Sequence, residues 1–428
     1  EARTPVGVGV PVISTTCGKF LALSGLAVAI VRARIARVFS RGLDTAAGFV
    51  LPNQPMGDVY LVYEPWSLQA LSGESLVGVD EAWVYPQLAL LPMLAAHALT
   101  WIAGYEVAWA VLVTALDAAA FAMLVGAARS RGRTTAAVFW LVFAVALGPV
   151  GMYRLDGVTV PIAIAGLLWL VRRPVIAAIL LAAATWIKVW PAALLAAAVV
   201  ALRRRLVVLG AAAATSAVVL GAIAVLGGAS HAFGFVAGQT GRGLQIEAPV
   251  SGWFLWQVAT GSADAAIVYD RDILTFQVQG PGVDAVSAAM TPLLVLVAGA
   301  VVILGAVKMW RGASFAALFP PFSLALVLTL IVVNKVGSPQ FLAWLIPPLV
   351  LWLVVDRRRG MGPAALAVAA AGLTQVVYPL VYGGILVAEP MSVTVLTLRN
   401  VLLIVLLAWA VIRTARVRTS VAVTVAAT

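Results

Sequence analysis

The chain has 428 residues, of which 63% are apolar and only 11% charged, against about 25% charged residues in soluble domains. That excludes an ordinary soluble domain and implies an all-α polytopic membrane protein, with room for about a dozen helices at roughly 20 residues per span. The net charge of +11 does not imply a nucleic-acid partner, because the basic residues fall in short clusters between apolar runs, as they do at the cytoplasmic ends of membrane helices.

Those clusters are Arg129/Arg131/Arg133, Arg172/Arg173, Arg203-Arg204-Arg205, Lys308/Arg311, Arg357-Arg358-Arg359 and Arg413/Arg416/Arg418. Cys17 is the single cysteine, and the two histidines, His97 and His231, are far apart. No disulfide, multi-thiolate centre or other cofactor is expected, and carboxylates remain the ligands open to a hard cation. The chain opens at Glu1 and not Met, which reads as a trimmed or processed terminus.

Residues 1–40 carry the first predicted span. Arg32, Arg34 and Arg37 crowd its end, either snorkelling to the interface or facing a lipid phosphate. Residues 41–106 form a first external loop with two notable parts. One is the acidic and aromatic stretch Asp58, Tyr60, Tyr63, Glu64 and Trp66; the other is the apolar run Pro86–Ala103. One crossing suffices between an external Asp58 and an internal Arg129 cluster, and Val107–Ala127 supplies it. Pro86–Ala103 is therefore expected to lie along the outer interface as a juxtamembrane helix.

Alternation of the basic clusters then predicts spans over Ala136–Met152, Val158–Val171, Pro174–Ile187, Trp190–Leu202, Leu206–Leu226, Val286–Val307, Ala313–Val333, Pro339–Val355, Pro363–Val387 and Val393–Ile412. With the first span this makes about twelve, both ends cytoplasmic, in a single domain over 1–428. Three of them, 158–171, 174–187 and 190–202, reach only about 20 Å against a hydrocarbon core of about 30 Å. Short helices thin the bilayer or end below its surface. Their low external ends would open a hollow edged by Arg154, Asp156 and Lys188. Asp117, the lone acid of its span, is expected to pair with an arginine or to face the bundle interior.

The second long external loop, 227–285, carries Gln239, Arg242, Gln245, Glu247, Trp253, Trp256 and Tyr269-Asp270-Arg271-Asp272. This mixture suits sugar binding, although its tryptophans equally suit interfacial anchoring. Gly227-Gly228 and Gly383-Gly384 read as packing or turn pairs. Lys335, in Asn334–Phe341 with Gln340, and Arg399 lie toward the same outer side. The external ends thus gather Asp58, Glu64, Arg154, Asp156, Lys188, Lys335 and Arg399. Lys188 has snorkelling as its alternative role, and Glu64 helix capping. A carboxylate among cations, in a hollow open to lipid and to the outside, suits transfer onto a hydroxyl with a lipid phosphate leaving. The carboxylate takes the proton and the cations meet the developing phosphate charge. No P-loop or dinucleotide fingerprint is present. A transporter would show internal symmetry, and no repeat is found.

Asp58 with Tyr60 and Tyr63, then Gly73, then Tyr85-Pro86, then Lys188 with Pro191, then Lys335 with Ser338-Pro339-Gln340 together resemble glycosyltransferase family 87 of the GT-C superfamily. The likeness runs from about residue 50 to 350; Gln87 departs from the second proline often found after Tyr-Pro. The resemblance implies transfer of a sugar from a polyprenyl-phosphate donor to a lipid-linked or polysaccharide acceptor, on the extracytoplasmic side of the plasma membrane. The most similar actinobacterial members are α-1,2-mannosyltransferases of phosphatidylinositol mannoside and lipomannan synthesis. The Ala-, Val- and Arg-rich composition fits a high-GC actinobacterial source.

By that resemblance Asp58 is the catalytic base. From their place on the external side, Lys188, Lys335, Arg399 and Arg154 are expected to hold the donor phosphate, and Glu64, Tyr63, Arg242, Gln245, Glu247, Trp253 and Gln340 to line the acceptor and sugar side. The chain is expected to act as a monomer among membrane lipids, with arabinofuranosyl transfer as the alternative chemistry and lipid or solute transport as the alternative class.

Overall fold

The structure, a computed structural model, describes residues 55–126, 130–271 and 273–419, without the side chains of Gln239 and Thr240. The first predicted span with Arg32, Arg34 and Arg37, the start of the first loop, Cys17, Arg129 and Asp272 lie outside the described residues.

The described chain is mostly helical. A π turn over Val59–Tyr63 leads into α1 (Glu64–Ser72), which carries Pro65 in its first turn and ends on Gly73 in the left-handed region at φ 73°. Proline fits there because it needs no donor, and glycine fits the C-cap because it has no Cβ to clash. A 3-10 turn at Gln87–Ala89 opens the short helix α2 (Leu90–His97), in the place expected for the juxtamembrane helix. Then come α3 (Tyr105–Val125), α4 (Arg131–Leu147), α5 (Asp156–Trp169), α6 (Pro174–Ile187), α7 (Ala192–Ala201) and α8 (Arg205–Val225). After the second loop follow α11 (Val283–Trp310), α12 (Phe315–Val332), α13 (Ile346–Val355), α14 (Arg357–Gln375), α15 (Tyr382–Leu386) and α16 (Pro390–Ala415).

Among the described residues, seven helical stretches are long and apolar enough to cross a membrane: Tyr105–Val125, Arg131–Gly151, Arg205–Val225, Val283–Trp310, Phe315–Val332, Arg357–Leu380 and Pro390–Ala415. The protein is therefore membrane-embedded. The other predicted spans are helical but shorter; α5 and α6 have 14 residues each and α7 has 10, so they extend roughly 15–21 Å.

Packing follows composition. Helix α12 is buried nearly all round, against α16, α11, α7 and α13. Helices α8 and α11 turn most of their apolar surface outward, the pattern of helices that face lipid. The short helices dock through small residues, Ala177, Ala178 and Ala182 of α6 and Ala197, Ala198 and Ala201 of α7, which let helix backbones approach closely.

One expectation is corrected. The span predicted over Pro363–Val387 does not continue: the helix breaks at Tyr378 (φ −136°, ψ 118°), just before Pro379. Proline has no N–H to donate and drives the preceding residue out of the α region. The external loop 227–285 holds α9 (Gly234–Thr240), α10 (Gly252–Ala259) and an antiparallel hairpin of β1 (Ala266–Asp270) and β2 (Thr275–Gln279), a small exception in an otherwise helical fold. Ile267, Val268, Tyr269, Phe276 and Val278 supply the β-branched and aromatic residues suited to strands. Segment 244–246 joins the hairpin edge, Ile246 N–H donating to the Phe276 carbonyl at 3.2 Å and Val278 N–H to the Leu244 carbonyl at 3.0 Å.

Candidate functional site

The short helices α5 and α6 place the charges. Arg154 and Asp156 stand at the entry of α5, because the 3-10 turn Gly148–Gly151 finishes α4 early and the chain re-enters the bundle at once. Lys188 caps the end of α6 in an extended conformation. Its ammonium meets Asp156 Oδ2 at 2.6 Å, and Asp156 also accepts the indole N–H of Trp344. Trp344 is held by stacking on Phe341 (4.1 Å between centroids) and on Trp190 (5.8 Å), whose own N–H goes to Thr159 Oγ1 at 3.0 Å. The Lys188 ammonium lies 5.7 Å from the Tyr85 ring centroid and 5.8 Å from that of Phe341, within cation–π range of both.

Asp58, just before the π turn, meets Arg154 Nη1 at 2.8 Å; the contact is an ion pair without hydrogen-bond alignment at Nη1, and Arg154 Nε has no acceptor. The Tyr378 hydroxyl is within hydrogen-bonding reach of the same guanidinium. Tyr63 packs on Trp109 at 5.0 Å and edge-on to Tyr85, and its hydroxyl accepts the Leu155 N–H at 3.4 Å. Burial pushes both the Tyr63 and Tyr85 phenols above their ordinary value, which keeps them neutral hydroxyls. Tyr85 sits in the field of Lys188, Asp58, Asp156 and Arg154 together. The two ion pairs therefore form one cluster around it. Trp66 and Trp83 complete its aromatic wall, each edge-on to Tyr85.

A third pair lies beside the cluster. Arg399 of α16 reaches Glu247 Oε2 at 3.3 Å and the Glu247 carbonyl at 3.1 Å. Burial pushes the Glu247 carboxyl above its ordinary value and Arg399 opposes the rise; Arg154 also acts on it electrostatically. Segment 245–248 is clipped to the loop carrying Lys335: Gln245 N–H donates to the Lys335 carbonyl at 3.0 Å, and Gly337 N–H to Gln245 Oε1 at 3.2 Å. A Cβ on Gly337 would lie 2.2 Å from Ala248 N, so this approach requires glycine. Burial lowers the Lys335 ammonium.

Of the predicted site residues, the cluster brings together Asp58, Arg154, Lys188 and Tyr63. Gln340 is buried beside Phe341, its Oε1 without a partner. Arg399 and Glu247, expected to face donor phosphate and acceptor, are given to each other. Glu64 is elsewhere: burial and Glu106 push its carboxyl up, and Ser67 of the same helix contacts His97 Nε2 at 2.7 Å. Trp253 is 71% exposed on α10. Asp117 is buried in α3. Asp156, expected at the edge of the hollow, is in the cluster as the partner of Lys188, while Trp344 and Tyr378, which sit inside apolar runs, gave no signal in the sequence. Among the described residues no group of three His, Cys, Asp or Glu is placed to hold a metal ion.

No protein-family model matches the chain, and no curated protein sequence matches it. Fold and composition define a helical, membrane-embedded protein whose short helices end in a cluster of paired charges walled by aromatic rings.

Proposed function

We propose that the protein is a GT-C-type membrane glycosyltransferase of about twelve spans. It moves mannose from a polyprenyl-phosphate donor onto a glycolipid of the phosphatidylinositol mannoside or lipomannan class, on the extracytoplasmic face of the plasma membrane. The observation that carries the reading is the pair Asp58–Arg154 beside Lys188–Asp156, at the ends of helices too short to span a bilayer. The Asp58 side chain keeps 36% of its surface exposed, so an acceptor hydroxyl has access to it, and Arg154 fixes its position.

In the proposed step the acceptor hydroxyl gives its proton to the Asp58 carboxylate as its oxygen bonds to the anomeric carbon. The bond from that carbon to the phosphate oxygen breaks, and its electron pair leaves with the polyprenyl phosphate. Inversion at a β-linked donor gives an α linkage, with α-1,2 as the position implied by the family resemblance. Arg154 and Lys188 would meet the developing phosphate charge, and the half-buried rings of Tyr85 and Trp66 suit stacking against a sugar face.

The test is transfer of radiolabelled mannose from polyprenyl-phosphate mannose to mannosylated phosphatidylinositol in nanodiscs, wild type beside Asp58→Asn. Wild type should transfer label, and Asp58→Asn should lose about 10²–10⁴-fold in rate while remaining folded. Near-wild-type turnover by Asp58→Asn would reject the base. No transfer by a folded wild type with the mannose donor or with the arabinose donor would favour a transporter.

A further inference from the structure

Three carboxylates answer three cations in and beside the cluster: Asp58 with Arg154, Asp156 with Lys188 and Glu247 with Arg399. Arg242 is left over. Among the described residues its side chain makes no ion pair, and its Nε is buried with no acceptor. The main chain around it is fixed. Ser287 Oγ donates to the Arg242 carbonyl at 3.4 Å, Leu244 is bonded to Val278, and Gln245 is bonded to Lys335.

The electrostatic neighbours of Arg242 are Tyr85, the ring that also faces Lys188, and Asp270. Asp270 already accepts the Gln277 Nε2 amide at 2.9 Å. A partly dehydrated guanidinium with an empty donor position is costly until an acceptor fills it. Its planar fork matches an oxyanion such as phosphate with two parallel hydrogen bonds.

We propose that Arg242 binds a phosphate of the lipid substrate at the rim of this cluster. The identity of that lipid rests on the glycosyltransferase reading; the phosphate belongs to the polyprenyl-phosphate donor or to the phosphodiester of the acceptor, two sources of one chemistry. Arg154, Lys188 and Arg399 each have a carboxylate to neutralise them in the resting site, whereas an anion at Arg242 displaces no partner.

The experiment uses the full chain in nanodiscs, as wild type, Arg242→Gln and Arg242→Lys, titrated with polyprenyl phosphate, uncharged polyprenol and phosphatidylinositol, and read by tryptophan fluorescence. Apparent melting temperatures establish that the variants are folded. Wild type should bind at least one phosphorylated lipid more tightly than polyprenol. Arg242→Gln should weaken that binding roughly tenfold or more, the loss of a charged hydrogen bond, and leave polyprenol unchanged. Arg242→Lys should recover part of it, because a point charge replaces the fork. Weakening confined to polyprenyl phosphate assigns the phosphate to the donor, and weakening confined to phosphatidylinositol assigns it to the acceptor.

Unchanged affinity of Arg242→Gln for both phosphorylated lipids overturns the inference. If wild type meanwhile transfers sugar, the glycosyltransferase reading survives that result. A wild type with neither transfer nor any preference for a phosphorylated lipid overturns both.

Discussion

Removing Arg399 tests what the third pair does. Its guanidinium is 2% exposed and the Glu247 carboxylate 4%, so Arg399→Met keeps much of the volume and leaves a buried carboxylate without its cation. Breaking such a pair from one side costs about 3–5 kcal/mol, which should lower the apparent melting temperature by roughly 5 °C or more. Adding Glu247→Gln removes the orphaned charge, so the double variant should recover most of the loss.

The pH dependence has a definite sign. Burial already holds the folded Glu247 carboxyl above its ordinary value, and Arg399 is the main opposing influence. Without Arg399 the folded state binds that proton more tightly than the unfolded state does. The penalty is then absent below the unfolded value of about 4.3, grows as pH rises, and is complete above the folded value. Arg399→Met should therefore approach wild type between pH 8 and pH 5 in thermal unfolding followed by tryptophan fluorescence. A single variant as stable as wild type at pH 8, or a double variant no better than the single, would refute the reasoning.

Two further outcomes follow from contacts around the cluster. Gly337→Ala puts a Cβ 2.2 Å from Ala248 N and 2.3 Å from the Glu247 carbonyl carbon; forcing it in should cost about 1–3 kcal/mol and lift the Lys335 loop, read as a lower melting temperature together with, on the proposed glycosyltransferase reading, a higher donor KM. Both values unchanged would mean that the loop does not need this approach. Trp344→Phe keeps the ring stack on Phe341 and Trp190 but removes one donor from a fully buried carboxylate. The expected loss is about 1.5–3 kcal/mol, measured by denaturation, with a smaller loss in Trp344→Phe combined with Asp156→Asn than the two single losses added.

What was legible in the sequence was what a one-dimensional signal carries. Apolar runs and arginine clusters located a helix at each predicted span within the described residues, including α5, α6 and α7, whose shortness was countable. That Arg154, Asp156 and Lys188 would meet followed from those short helices ending together. Their partners were not legible, because a pairing such as Asp58 with Arg154 depends on how the segments leading into α1 and α5 approach in space. The same holds for Glu247 and Arg399, far apart in the chain. The break at Tyr378 was hidden because hydropathy passes smoothly over Val376–Val381 while Pro379 interrupts the backbone bonding. The hairpin was hidden because ten strand residues in a long loop are too few to outweigh a composition that otherwise reads as helix.

On the proposed glycosyltransferase reading, exposure separates the roles of the three paired acids in and beside the cluster. Asp156 has no exposed side-chain surface and Glu247 has 4%, whereas Asp58 has 36%. A carboxylate that must meet a substrate hydroxyl has to leave an edge uncovered, and one that holds a lysine or a loop in place is better sealed. Asp156 is sealed by Lys188 and Trp344, so its cost of burial is offset by two directed contacts and it can fix Lys188 between two rings. Glu247 is sealed by α16 and ties the external loop to the last helix. The same argument separates the cations: Arg399 is sealed with its acid, while Arg242 combines a buried Nε with a half-buried side chain and no acid of its own. An exposed carboxylate and an unsatisfied arginine beside one aromatic wall are the two features a substrate would complete, and the sealed pairs around them supply the rigidity that holds those two in place.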